Sequence, residues 1–319
     1  MPVDVVVVSA PLFTLILIGY LAARFGLIPI EAIKGLNNYV LYFAITSMLF
    51  RMGSSASLEQ AINPTVLTVW LLACWSVLGL AMAYGRTQGR TWLATSFGAL
   101  AAALPNAGFM GIALVTAVLG TENLHIMVPI ILADTVVLQG TAIAFSQLDA
   151  ASNQGILAKL KVSFSGVLKN PMVWGTVTGV FWGATGWALP SILANLVDIL
   201  ADSATPVALF TVGAVLFREQ RRVSERPSSK DFVAWIAFLK LLVLPLIMWG
   251  LGVLAMRMGL PLTSGELAVL VLVAALPSAA NTTLLAEKFG ADSGLVATAL
   301  LTTSTIGFVT FNVVATLVS

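Results

Sequence analysis

Ten runs of about twenty apolar residues, nearly free of charge, succeed one another between residues 4 and 318. A helix needs that length to cross a hydrocarbon core roughly 30 Å thick, where backbone polar groups must be satisfied within the segment itself. The runs fall near 4–25, 33–52, 64–85, 91–119, 124–147, 171–189, 191–217, 232–256, 266–287 and 294–318. Only 9% of the 319 residues are charged and 59% are hydrophobic, whereas a soluble domain carries roughly 25% charged residues. The expected fold class is therefore an all-α membrane protein with ten transmembrane helices. The first run lacks a basic leader and a small-residue cleavage site, so we expect a retained span rather than a signal peptide.

Several function classes fall away at once. The single Cys74, inside an apolar run, excludes a disulfide framework and a thiolate cluster, and the lone His125 has no partners for a metal site. No metal, cofactor or nucleic-acid partner is expected. An intramembrane enzyme is the least favoured class, because no His or Cys cluster and no convergent carboxylate pair lies at mid-depth.

The basic residues set the orientation. Arg24, Lys34, Arg86, Arg90, Lys159, Lys161, Lys169, Arg218, Arg221, Arg222, Arg226, Lys230 and Lys288 fall in odd-numbered loops, while only Arg51 and Arg257 fall in even ones. By the positive-inside rule the odd loops are cytoplasmic and both termini extracytoplasmic. Residues 149–170 carry Ile156, Leu157, Leu160, Phe164, Val167 and Leu168 at helical spacing among lysines, the pattern of an amphipathic helix on the cytoplasmic membrane surface.

The chain also repeats itself. At an offset of 160, Pro11, Gly19, Gly26, Leu36, Ala44, Leu49, Phe50 and Gly53 match Pro171, Gly179, Gly186, Leu196, Ala204, Leu209, Phe210 and Gly213. By the fourth span the offset is 172, where Ala102-Ala103-Leu104-Pro105 meets Ala274-Ala275-Leu276-Pro277. Each copy has five spans, an odd number, so the second must enter the membrane inverted. We divide the chain into a first repeat (1–148), a linker (149–170) and an inverted second repeat (171–319). Inverted repeats of this kind mark secondary transporters.

Within spans four and nine the apolar pattern is broken by Pro105 and Pro277. Counting 1.5 Å per residue from the span starts places the breaks about 21 Å and about 16 Å deep, near the middle of the bilayer. Proline removes a donor and pushes Leu104 and Leu276 out of helical geometry. Asn106 and Ser278 follow, both preferred N-cap types, and the small Ala107, Gly108, Ala279 and Ala280 let two segments cross closely. Restarting half-helices aim positive N-terminal ends at the crossing, a geometry that favours an anion. A pair of kinks without a ligand is the plainer alternative.

Other polar residues lie at depth. Asp134, near the middle of span five, is a candidate for proton coupling, or else a carboxyl satisfied by nearby hydroxyls or water. Asp198 and Asp202 suit a solvated outer vestibule, though Asp202 has the reach for the cavity. Lys240 is expected to snorkel to the cytoplasmic surface. Gly175, Gly179 and Gly183 are spaced for close helix packing. Thr46, Ser47, Thr302, Thr303, Ser304 and Thr305 either line the cavity or bond their own helices.

At these motifs the sequence resembles the auxin efflux carrier family, including its bacterial malonate-transporter-like members. Asn106-Ala107-Gly108-Phe109-Met110-Gly111 is similar to the family's Asn-x-Gly-Phe/Leu-x-Gly stretch. Leu276-Pro277-Ser278-Ala279-Ala280-Asn281, with Ala286-Glu287-Lys288-Phe289-Gly290-Ala291-Asp292, resembles its penultimate-span motif. The resemblance implies a fold related to the bile acid/sodium symporters, with spans 3–5 and 8–10 as a transport domain. It also implies spans 1, 2, 6 and 7 as a scaffold, often at a homodimer interface. Ala113 departs from the pattern where a proline is common, and the last span lacks the usual proline near Val309. The plant members' long cytoplasmic loop is absent, so an auxin role is not implied.

These readings converge on a secondary active transporter in a cell membrane, a bacterial inner membrane being expected. It would move a small organic anion (a mono- or dicarboxylate such as malonate or malate, or an auxin-like acid) by alternating access. Asn106, Ala107, Gly108, Ser278, Ala279 and Asn281 would bind substrate, Pro105 and Pro277 would form the crossing, and Asp134 is the proton candidate. A sodium-coupled symporter of the bile-acid type is the rival, and a channel the weaker one.

Overall fold

The computed structural model describes residues 5–55, 63–148, 171–225 and 230–318. The expected amphipathic linker at 149–170 lies outside the described residues, which form helices joined by short turns, with no strand among them. Five helices are long and apolar enough to cross a bilayer: Pro64–Thr87, Leu124–Ser146, Ser191–Val223, Lys230–Arg257 and Ser293–Val318. Shorter apolar helices accompany them at Ser9–Arg24, Trp92–Ala103, Ala107–Leu119 and Ser264–Ala274.

Local chemistry sets the helix ends. Asn63 caps the Pro64–Thr87 helix by accepting from the amides of Thr65 and Val66. Thr91 does the same for Trp92–Ala103, and Thr263 forms a reciprocal capping box with Glu266 at the start of Ser264–Ala274. Glycines of positive φ close helices in pairs: Gly26 with Gly186, Gly89 with Gly259, and Gly120 with Gly290, spaced 160, 170 and 170 residues apart. Only glycine takes that conformation without strain, so these positions mark helix stops.

The tightest packing is backbone on backbone. A Cβ placed on Gly19 would lie 1.9 Å from the Phe210 carbonyl oxygen, and one on Gly213 would lie 1.8 Å from that of Ile16. The Val5–Arg24 and Ala204–Glu225 helices therefore touch with nothing between them. A second pair, Ile45–Ser55 and Pro171–Thr185, meets likewise: a Cβ on Gly179 would lie 2.4 Å from the Phe50 oxygen, and one on Gly53 3.1 Å from that of Thr176. Adding 160 to Gly19 and subtracting it from Phe210 turns the first contact into the second. Gly175 and Gly183, against Thr46 and Ser54, extend this seam, so the expected glycine-packed face is present. Lipid offers no hydrophobic drive for helix association, and such close approach maximises dispersion instead.

Polar loops segregate by end. Arg86 stacks over Trp92 and Arg90 over Phe232 at one end, where Tyr20 meets Gln220 and Arg222 pairs with Glu287 at 3.0 Å. A separate group joins Arg51 to Asp198 at 3.1 Å and Asp202 at 2.8 Å, and His125 to Glu266 at 3.4 Å. Four π-helical turns, Val40–Ala44, Ala107–Gly111, Ala133–Leu138 and Leu239–Val243, interrupt the helices. Two of them carry the buried ionisable residues Asp134 and Lys240.

Candidate functional site: the helix crossing

The Trp92–Ala103 helix stops at Leu104, whose φ of −92° and ψ of 109° are the extended geometry that a following proline imposes. The Ser264–Ala274 helix stops at the equivalent place. The two interruptions then pair with each other. The Asn106 amide donates to the Pro277 carbonyl at 2.9 Å and the Ala279 amide to the Leu104 carbonyl at 3.1 Å, a single antiparallel bridge between Pro105 and Ser278. Backbone groups freed by the prolines thus find partners in each other, which removes a cost of several kcal/mol per group in an apolar interior. Ala101, Ala102, Ala103, Ala274 and Ala275 are fully buried around the bridge, and their small size permits it.

Beside the bridge lies a cavity lined by Asn106, Ala107, Gly108, Ala279, Asn281 and Asp134, with Thr135, Gln139 and Met172 completing the wall. The space open to the centre of a water-sized sphere is about 30 Å³. That holds about one or two waters and no dicarboxylate. Asn106 is 2% exposed, and its Nδ2 has no hydrogen-bond partner among the described residues. Two polar directions converge on the cavity: this spare amide, and the first turns after each break, whose leading N–H groups have no acceptor within their own helix.

Five of the six residues expected to bind substrate therefore meet at one cavity, together with Asp134. Ser278 does not line it. Its hydroxyl donates to the Ala101 carbonyl at 2.6 Å, and its amide donates to Thr303 Oγ1 at 3.2 Å. The serine braces the crossing because the Ala101 carbonyl, near the end of its helix, needs a donor. The expected N-cap role also fails for both residues. Asn106 makes no side-chain cap, since a π turn over Ala107–Gly111 follows it, and Ala280 rather than Ser278 precedes the Asn281–Lys288 helix.

The polar residues at depth sort as follows. Asp134 accepts from the Trp70 indole N–H at 2.7 Å and lines the cavity. Lys240 does not snorkel. It is fully buried, and its ammonium donates to the Ala274 carbonyl at 2.9 Å, because the half-helix end there presents an acceptor nearer than the membrane surface. Asp202 lines a different pocket, with Arg51, Thr116 and Thr121, and does not reach the crossing. Thr46, Thr302 and Thr305 bond their own helices, while Thr303 reaches Ser278. Trp70, Thr135, Gln139 and Met172 were not singled out from sequence. Asp134 was the available signal, since a buried carboxyl demands a donor nearby.

Long apolar helices together with a polar cavity built where two broken helices pair define a multi-pass membrane protein with an internal polar site. The chain belongs to the Membrane transport protein family, which matches residues 4–315 and includes the auxin efflux carriers. It is similar to a protein of Rhizobium meliloti (strain 1021) named "Putative malonate transporter", 28% identical over 93% of this chain and 92% of that one. An uncharacterized transporter of Escherichia coli (strain K12) is 26% identical over 94% of this chain and 92% of its own. Auxin efflux carrier component 8 of Arabidopsis thaliana is 22% identical over 66% of this chain and 71% of its own. Membership makes the chain a transport protein and not an enzyme.

Proposed function

We propose that this protein is a secondary active transporter that carries a small organic anion across the membrane by alternating access around the crossing. The observation that carries the reading is the spare Asn106 amide, buried in a cavity that the N-terminal ends of both restarting segments also face. A carboxylate is the complementary ligand, since it accepts from amides and is favoured by the positive helix ends. Similarity to the Rhizobium protein supports malonate or a comparable mono- or dicarboxylate as the first substrates to test.

The architecture in this reading is ten spans arranged as a 5+5 inverted repeat, residues 1–148 and 171–319 around a cytoplasmic linker. Three features support it: the glycine contacts that map onto each other at an offset of 160, the paired helix-stop glycines, and the threonine caps at Thr91 and Thr263, 172 residues apart. The bias of Lys and Arg toward the odd loops supports a cytoplasmic location for them, with both termini outside, and a bacterial inner membrane is the membrane proposed. A homodimer through the first, second, sixth and seventh spans completes the proposal. Asp134, in the cavity wall, is the group offered for proton coupling.

The sodium-coupled alternative needs free carbonyls at the break. Those of Leu104, Pro277 and Ala274 each already accept one hydrogen bond, from Ala279, Asn106 and Lys240, which makes them poorer cation ligands and supports testing proton coupling or uniport first. The test is uptake of a panel of mono- and dicarboxylates into proteoliposomes, with pH and sodium gradients imposed separately. Asn106→Ala and Asn281→Ala are expected to lose transport while inserting normally; unimpaired uptake by both overturns the assignment.

A further inference from the structure

Lys240 is the one fully buried lysine among the described residues, and the transport reading so far gives it no role of its own. Its ammonium contacts the carbonyl of Ala274, the last residue of the first half of the interrupted helix, at 2.9 Å. The C-terminal end of a helix carries a partial negative charge on carbonyls that lack intrahelical partners. In discontinuous membrane helices such ends serve as ligands for coupling cations. Here the neighbouring amides of Ala275 and Leu276 take the carbonyls of Val271 and Val273, and the Ala274 oxygen is among those left without an amide from its own helix. A lysine fills it.

A further observation indicates more than a packing accident. Lys240 sits inside a π turn, Leu239–Val243, and Asp134 sits inside another, Ala133–Leu138. π turns cost stability and concentrate at functional positions. Hydrocarbon tolerates a charge at depth only where protein groups answer it. The ammonium itself is answered by the Ala274 carbonyl at the half-helix end.

We infer that Lys240 is a tethered cation, holding the place at the end of the broken helix that a bound monovalent cation would otherwise take. The protein's own side chain then stands in for the coupling ion, and substrate movement requires no sodium. Lys240 is on this view a specificity-determining residue for the coupling ion, acting by positioning the half-helix rather than by touching substrate. The inference rests on the carrier reading for its consequence in transport, but not for its prediction of a latent cation site.

The experiment has two arms on the purified full-length protein. In detergent, thermal unfolding of wild type, Lys240→Ala, Lys240→Gln and Lys240→Arg is followed in sodium, methylammonium or choline chloride at constant ionic strength. Wild type and Lys240→Arg are expected to melt alike in all three salts, whereas Lys240→Ala gains stability saturably from sodium or methylammonium and not from choline. Absence of any cation-specific gain in Lys240→Ala overturns the inference, and if that variant does not fold, the same comparison is read from Lys240→Gln. In proteoliposomes wild-type uptake is expected to be unchanged when choline replaces sodium, with Lys240→Gln at least tenfold slower and Lys240→Arg restoring activity. A sodium requirement in wild type, or full activity of Lys240→Gln in choline, likewise overturns it. If no anion is taken up by any form, the carrier reading fails while the melting arm still decides the role of Lys240.

Discussion

Alanine at Gly213 separates close backbone packing from ordinary helix contact. Its Cβ would sit 1.8 Å from the Ile16 carbonyl oxygen and 2.6 Å from the Tyr20 amide nitrogen, both backbone atoms that cannot rotate aside. Ordinary contact begins at 3.4 Å, so the two helices must move apart by about 1.6 Å. Overpacking of this kind costs about 1–3 kcal/mol, and an immovable neighbour places Gly213→Ala at the upper end. Gly79 and Gly250 are the matched controls, being helical with nothing within 4 Å of the added atom. There alanine gains roughly 0.8–1 kcal/mol of helix propensity. At about 2–4 °C per kcal/mol for chains approaching this size, thermal unfolding in detergent should fall by several degrees for Gly213→Ala and rise slightly for the controls. The distances also rank the series: Gly213 and Gly19 suffer most, Gly179 less and Gly53 least. Equal midpoints for Gly213→Ala and Gly79→Ala would refute the backbone contact, and with it the matched packing of the two helix pairs.

Three further changes probe the site itself. Asn106→Ala removes a donor to a charged ligand, worth about 1.5–3 kcal/mol, so substrate affinity measured by isothermal titration should weaken roughly 10- to 100-fold. Trp70→Phe strips Asp134 of its indole donor and should destabilise the protein, whereas adding Asp134→Ala to it should cost little more; a coupling energy near zero in that double-mutant cycle would show the bond to be idle. Thr263→Ala breaks the capping box at the start of the Ser264–Ala274 helix and should cost about 1 kcal/mol, read as a lowered melting midpoint.

Much of this was legible before any coordinates. That the chain is built of long apolar helices follows from charge scarcity, because exclusion of charge from hydrocarbon is a strong and local constraint. Pro105 and Pro277 announced the crossing, since a proline at mid-depth leaves backbone groups that must be answered somewhere. Pairing of the breaks by a backbone bridge was hidden, as no residue type encodes a contact between Leu104 and Ala279. Ser278 misled for the same reason: a serine after a proline is a good cap in general, but here an orphan carbonyl of another helix, at Ala101, outbid its own amides. Lys240 misled because snorkelling is the usual fate of a lysine two turns from an interface. The π turn over Leu239–Val243, with the Ala274 carbonyl opposite, is a tertiary fact that hydropathy does not carry.

On the proposed reading, the cavity of about 30 Å³ must enlarge before a carboxylate rests beside Asn106, and the packing limits where that can happen. The glycine-packed pairs, Val5–Arg24 with Ala204–Glu225 and Ile45–Ser55 with Pro171–Thr185, touch through backbone and resist sliding. The crossing is locked internally by its bridge, by Ser278 and by Lys240. Between these two rigid parts the contacts are softer. Met172, on the Pro171–Thr185 helix, supplies one wall of the cavity with a flexible thioether whose Cε approaches Gly108. At one end of the molecule, Arg222 of the Ala204–Glu225 helix pairs with Glu287 of the half-helix that restarts after the crossing, and both side chains remain substantially exposed. An exposed ion pair is worth less than about 1 kcal/mol, and a methionine contact yields by rotamer change, so both can be exchanged at little cost. In the carrier proposed here, displacement of the crossing as a unit along this seam is the movement expected to open the cavity, since it breaks neither rigid part.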